Sequence, residues 1–166
     1  MMHLDRLAVL ALATVFVAGL GCERSPDDVE RWRDAKGGME KMQEWATSSS
    51  EPMPVRVRAV QVIIEENAPT ILEPTFKKIS DKNARQKLVS GGVETIQKMW
   101  DKQDMPTMDE TTKSGKVKIK KSKSVQAKDA AYYLQPFAKG KTKAKLESIL
   151  AEWLSEDWKL RNKLGD

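Results

Sequence analysis

Residues 54–67 read PVRVRAVQVIIEEN. Val55, Val57 and Ala59 alternate with Arg56 and Arg58, as they would on a half-buried strand. Val55, Ala59, Val62 and Ile63 also recur at the spacing of one helix face. The choice between strand and helix decides the fold class, and repetition along the chain makes that choice. VRVRAVQVI begins at Val55, ARQKLVSGG at Ala84 and TKAKLESIL at Thr142. Each carries a cation in second place, followed by apolar or small residues three, six and seven positions later. In all three a shorter helical stretch and a turn come first. A strand does not recur in that setting, so the pattern predicts a helix over 54–67 and an all-α chain. The β-propensity of the valines is a weak prior that packing overrides.

The repeated pattern resembles the second helix of HEAT repeats, which often reads V-R-x-x-A-x-x-A-L. Val55, Arg56 and Ala59 match it directly, with Val62 and Ile63 as similar, larger residues. In the second unit Pro74 and Asp81 stand where HEAT units often carry a proline and a turn aspartate, and the third has Lys143 for arginine. The resemblance covers roughly residues 38–164. It implies a short right-handed α-solenoid of stacked antiparallel helix pairs. It also implies that Arg56 and Arg85 lie between neighbouring units, bond turn groups and set the stacking. The Trp, Leu-Gly and Tyr signature of tetratricopeptide repeats is missing.

Helix punctuation supports this division. Before the repeats, Ser25, Pro26, Asp27 and Asp28 suit a helix start, and Gly37 with Gly38 suits its end. Met39, Met42, Trp45 and Ala46 predict the next helix. Ile71, Leu72, Phe76 and Ile79 predict another, kinked at Pro74. Ala84, Leu88, Val89, Val93, Ile96 and Trp100 predict a long one, in which Gly91 and Gly92 permit close helix contact. The last pair would bury Val125, Ala130, Tyr133, Leu134 and Phe137, turn at Gly140-Lys141, and then bury Leu146, Ile149, Leu150, Trp153 and Leu154.

The start of the chain reads differently. Residues 7–21, LAVLALATVFVAGLG, are apolar and uncharged. The run is shorter than the ~20 residues of a membrane-spanning helix and suits the core of an export signal. It ends in GLGC, with Cys22 the one cysteine among 166 residues. A cysteine directly after small residues resembles the lipobox of bacterial lipoproteins. That likeness implies a diacylglyceryl group on Cys22 and cleavage just before it. The expected organisation is therefore an export signal at 1–21, a lipidated cysteine and short tether at 22–24, and a helical domain at 25–166. Glu23 is not the aspartate that can hold such proteins at the inner membrane, which leans toward an outer-membrane anchor facing the periplasm.

The net charge of +5 is unevenly spread. DMPTMDETTKSGKVKIKKSKS, residues 104–124, has few large apolar residues and is expected to be an exposed Lys-rich insertion. Lys113, Lys116, Lys118, Lys120, Lys121 and Lys123 are its candidate contacts for anionic lipid or glycan. Nucleic acid is not an expected partner, because export removes it and no aromatics interleave the lysines.

The only histidine is His3. Beyond the leading segment the chain has no imidazole and no second thiol. No Gly-rich phosphate loop appears either. The carboxylates lie on amphipathic helices, where a solvated face is their ordinary role. The expectation is a non-enzymatic adaptor without metal or cofactor, bound to another envelope protein. The alternative is an envelope protein that takes anionic lipid or glycan through the insertion.

Overall fold

The computed structural model describes residues 24–101 and 122–163, with side chains described to Asp157. Every regular element among them is helical: α1 (Pro26–Arg33), α2 (Gly38–Thr47), α3 (Met53–Glu65), α4 (Leu72–Lys78), α5 (Lys82–Met99), α6 (Lys123–Leu134) and α7 (Gly140–Lys163). Short 3-10 turns precede α4 (Pro69–Ile71) and follow α6 (Gln135–Phe137).

The chain over 54–67 is helical, and its double pattern has a structural cause. Helix α3 packs against α1, α2, α5 and α6. Val55, Ala59, Val62 and Ile63 are buried, but so are Val60, Ile64 and Arg56. A helix covered on several sides is apolar around most of its circumference, which blurs the single stripe and leaves runs that mimic alternation. The helix stops where Asn67 takes the left-handed conformation, with φ +55°.

Local chemistry explains most helix ends. Asp28 accepts a 2.9 Å hydrogen bond from the Ser25 N–H, and Pro26 occupies the first helical position of α1. The two glycines do not end that helix as expected. Helix α1 stops at Arg33, Gly37 turns the chain at φ +79°, and Gly38 opens α2. A Cβ on Gly38 would lie 2.3 Å from the Trp32 carbonyl oxygen, so only glycine lets α2 start against the end of α1. Pro74 falls in the first turn of α4, where its missing N–H would have no intrahelical partner. The expected helix with a kink at Pro74 is instead a 3-10 turn opened by Pro69, followed by α4.

Asp81 caps α5, accepting from the N–H of Asn83 at 2.7 Å and of Ala84 at 3.1 Å. Gly91 and Gly92 lie inside α5 at about 1 kcal/mol each relative to alanine. Close packing requires them. A Cβ on Gly91 would meet a Val57 methyl at 2.5 Å, and one on Gly92 would meet Leu134 Cδ2 at 3.0 Å.

The last pair departs from expectation in three ways. Residues 123 and 124, assigned to the insertion, belong to α6, which Ser122 caps through the Val125 N–H at 3.2 Å. The buried face of α6 is Ser124, Ala127, Ala130, Ala131 and Leu134, while Val125 and Tyr133 are half-exposed and Phe137 sits in the 3-10 turn. Small residues let this helix seat closely on α5. In α7, Leu146 and Ile149 are buried and Leu150 packs beside them, but Leu154 is 67% exposed. The stripe thus continues past the part of α7 that is covered.

Some helices pack on the next in the chain, and others side by side. Helix α2 packs on α3, and α6 on α7. Helix α3 also packs on α5, and α5 on α7, with Trp100 Nε1 donating to Glu152 at 2.7 Å. On the other side α2 meets α4, where Gln43 donates to Thr75 at 3.1 Å, and α4 meets α6. The turns at 48–52, 79–81 and 138–139 lie along one edge. Arg56, after the first turn, feels the charge of Asp81 in the second. Phe76 and Phe137 stack at 5.4 Å, and Gln86 donates to the Phe137 carbonyl at 2.8 Å, joining the second turn to the third.

Candidate functional site

At the other ends of the helices, α1, α3, α5 and α6 enclose a groove of about 430 Å³. Helix α1 contributes Arg33; α3 contributes Arg58, Gln61 and Glu65; α5 contributes Thr95, Lys98 and Met99; α6 contributes Lys123 and Gln126.

One wall is an ion network. Arg58 donates to both oxygens of Glu65, at 2.8 and 2.9 Å, to Gln61 at 3.2 Å, and through Nε to Glu30. Arg33 reaches the same Glu65 at 2.9 Å and also bonds Glu66. Two cations from two helices thus share three carboxylates, and α1 is clamped to α3. The two-pronged bond to Glu65 holds the Arg58 guanidinium above its ordinary pKa, against the desolvation of burial. Burial opposes the charge of Arg33 too, but its bond to Glu66 and the charges of Glu66 and Glu65 raise it on balance. The bond from Arg58 holds the Glu30 carboxyl below the usual carboxylate range. Both Glu65 oxygens are engaged by guanidinium groups, which holds α1 and α3 together at this wall.

The opposite wall carries Lys98, Lys123, Gln126 and Thr95. Its base is pinned between the end of α5 and the start of α6. Ser124 Oγ accepts from the Asp101 N–H at 3.0 Å and donates to the Asp101 carbonyl. The end of α5 and the start of α6 are therefore held together beside the groove.

Of the lysines assigned to anion contact, Lys123 lies on the groove rim, whereas Lys113, Lys116, Lys118, Lys120 and Lys121 lie outside the described residues, as does Cys22. Arg56 and Arg85 do not enter the groove. Arg56 is 6% exposed and donates to the Ala46 carbonyl in the last turn of α2 at 3.2 Å. Arg85 donates to the Ile79 carbonyl just past α4 at 2.9 Å. Each reaches the C-terminal end of the helix paired with its own, a device Lys143 does not share: it is exposed, 3.6 Å from Glu147.

Sequence reasoning missed the arginine–carboxylate network. A signal was present, because Arg58 and Glu65 stand two turns apart on one helix face and Glu30 stands one turn before Arg33. The approach of α1 to α3 had no such signal.

The depressed carboxyls give a pH dependence. Hydrogen bonds from the N–H of Ala84 and Asn83 lower Asp81, and the bond from the Ser25 N–H lowers Asp28. With Glu30, these groups contribute stability that is fully present above the unfolded carboxylate range. It is lost as pH falls through the lower folded values. The urea midpoint is expected to hold steady down to about pH 5 and to drop below about pH 4. A paired Asp28→Asn and Asp81→Asn variant should show a shallower acid limb.

No family model, curated protein or solved structure matches the chain. Among the described residues, no helix is long and apolar enough to cross a membrane, and no group of three or more His, Cys, Asp or Glu side chains could hold a metal ion.

Proposed function

We propose that this chain is a lipid-anchored, non-enzymatic scaffold of a bacterial cell envelope, with Cys22 as the anchor. Its helix pairs are read as a short right-handed α-solenoid of HEAT-like units. The carrying observation is the repeated packing: α2, α4 and α6 lie side by side, α3, α5 and α7 do likewise, and Arg56 and Arg85 each bond a carbonyl at the end of the helix before their own. Stacks of this kind offer extended surfaces to protein partners. Here the groove is the natural seat, because its donors and acceptors are held in place by the ion network. The anchor rests on the GLGC stretch, and the outer-membrane location facing the periplasm rests on Glu23.

A second reading gives the Lys-rich insertion an anionic lipid or glycan. It is favoured by the position of Lys98 near the end of α5 and Lys123 at the start of α6, both on the groove.

Capture of the acylated protein from native membranes tests both. Cys22→Ser is expected to abolish membrane fractionation. A paired Lys98→Glu and Lys123→Glu variant should remain in membranes and lose its captured protein at least about tenfold, by the cost of like charge at an interface. A parent protein that fractionates as soluble sinks the anchor. Capture indifferent to the groove reversal sinks the seat. Glycan or lipid recovered in place of protein favours the second reading.

A further inference from the structure

The edge formed by the three turns carries an unassigned charge pattern. Lys77 and Lys78 end α4 and Lys82 opens α5, while Lys139, Lys141 and Lys143 surround the start of α7. All six are exposed. Lys77 pairs with Glu73 and Lys143 with Glu147. Lys78, Lys82, Lys139 and Lys141 have no carboxylate partner among the described residues. The Phe76–Phe137 stack and the Gln86 bond to Phe137 bring these two lysine groups together from separate parts of the chain. Helix electrostatics does not account for the α7 group. Its first turn holds cations and no acid, although the positive end of a helix dipole favours acids.

Arg24 lies at the same edge. Arg24 pairs with Glu51 in the turn at 48–52 and lies over the Trp45 ring, 5.4 Å from its centroid. Residue 24 is thereby fixed beside the first turn. From Cys22 to Arg24 the chain can span about 7 Å at most.

We propose that the turn edge, with Lys78, Lys82, Lys139 and Lys141 at its centre, is a docking surface for an anionic lipid bilayer. The inference rests on the anchor at Cys22 and adds an orientation to it. Lysines suit this partner: each is a compact, hydrated charge on a flexible stem, fit for a sheet of headgroups, whereas recognition of a single carboxylate favours the planar fork of arginine. They project from turns rather than line a cavity. The groove lies at the far ends of the same helices. A bilayer against the turn edge leaves it open to a protein partner.

The test is lysine acetylation of the acylated protein, read by mass spectrometry. It is carried out on vesicles of phosphatidylcholine alone and of phosphatidylcholine with phosphatidylglycerol. Lys78, Lys82, Lys139 and Lys141 are expected to react roughly fivefold more slowly on the anionic vesicles, with the difference removed by high salt. A variant with all four changed to glutamine should melt like the parent and stay tethered, and its Lys77 and Lys143 should lose the protection. Equal rates on both vesicles, or slowing confined to Lys113–Lys121, overturn the docking surface while leaving the anchor intact. The mass of the Cys22 peptide reports the anchor separately, and an unacylated Cys22 overturns both.

Discussion

Replacing Phe76 by alanine is expected to lower the unfolding free energy by about 3–5 kcal/mol, the range for removing a buried aromatic ring. Phe76 is fully buried, and its ring lies 5.4 Å from that of Phe137 at a tilt of 31°. The ring belongs to α4, and its partner belongs to the turn before α7. The substitution therefore opens a cavity where the second and third helix pairs meet. Domains of this size are stable by only about 5–15 kcal/mol, so the variant is expected to be partly unfolded in modest denaturant. Urea unfolding followed by circular dichroism at the helical band measures the loss. Phe76→Leu keeps most of the volume and is expected to lose less than half as much. A Phe76→Ala protein within about 1 kcal/mol of the parent would mean that the ring does not join the pairs.

Arg56→Ala is expected to cost about 2–3 kcal/mol, and Arg85→Ala about half of that. Both arginines bond a carbonyl at the end of the paired helix, but only Arg56 is buried. Its removal leaves the Ala46 carbonyl without that donor and empties the space filled by its side-chain stem. Desolvation already lowers the Arg56 pKa from its ordinary value, and the charge of Asp81 offsets part of that. The charge is thus carried at a cost, and Arg56→Met, which fills the space without it, should recover part of the loss. Chemical denaturation of the three variants gives the order. An Arg85→Ala loss equal to or larger than that of Arg56→Ala would show that burial does not set the scale.

The helical character of the chain was legible because its causes are local. Ser25, Pro26 and Asp28 start α1, and Asp81 starts α5, through groups within three residues. The repeated position of Ala59, Leu88 and Leu146 marks the inward face of three helices, and all three residues are fully buried. The close contact at Gly91 and Gly92 was also readable, since two glycines inside a helix need a reason and intimate packing is the commonest one.

Other features were hidden because they depend on what lies opposite. The alternating valines of α3 looked strand-like because four helices cover it, and no residue within α3 announces them. Leu154 completes a regular stripe in α7 yet is exposed, and nothing within α7 marks where its cover ends. Arg33 and Arg58 meet over Glu65 only when α1 folds back on α3.

The sequence alone thus determined that the chain is helical, where most helices begin, and which residues form the central faces. Backbone hydrogen bonds in a helix join positions four apart, and caps act over two or three residues, so both are written in short windows. The tertiary structure decided which faces are covered, which charges share a groove and which lysines gather on one edge. Those outcomes join residues tens of positions apart, and the packing that brings them together is a property of the whole assembled core.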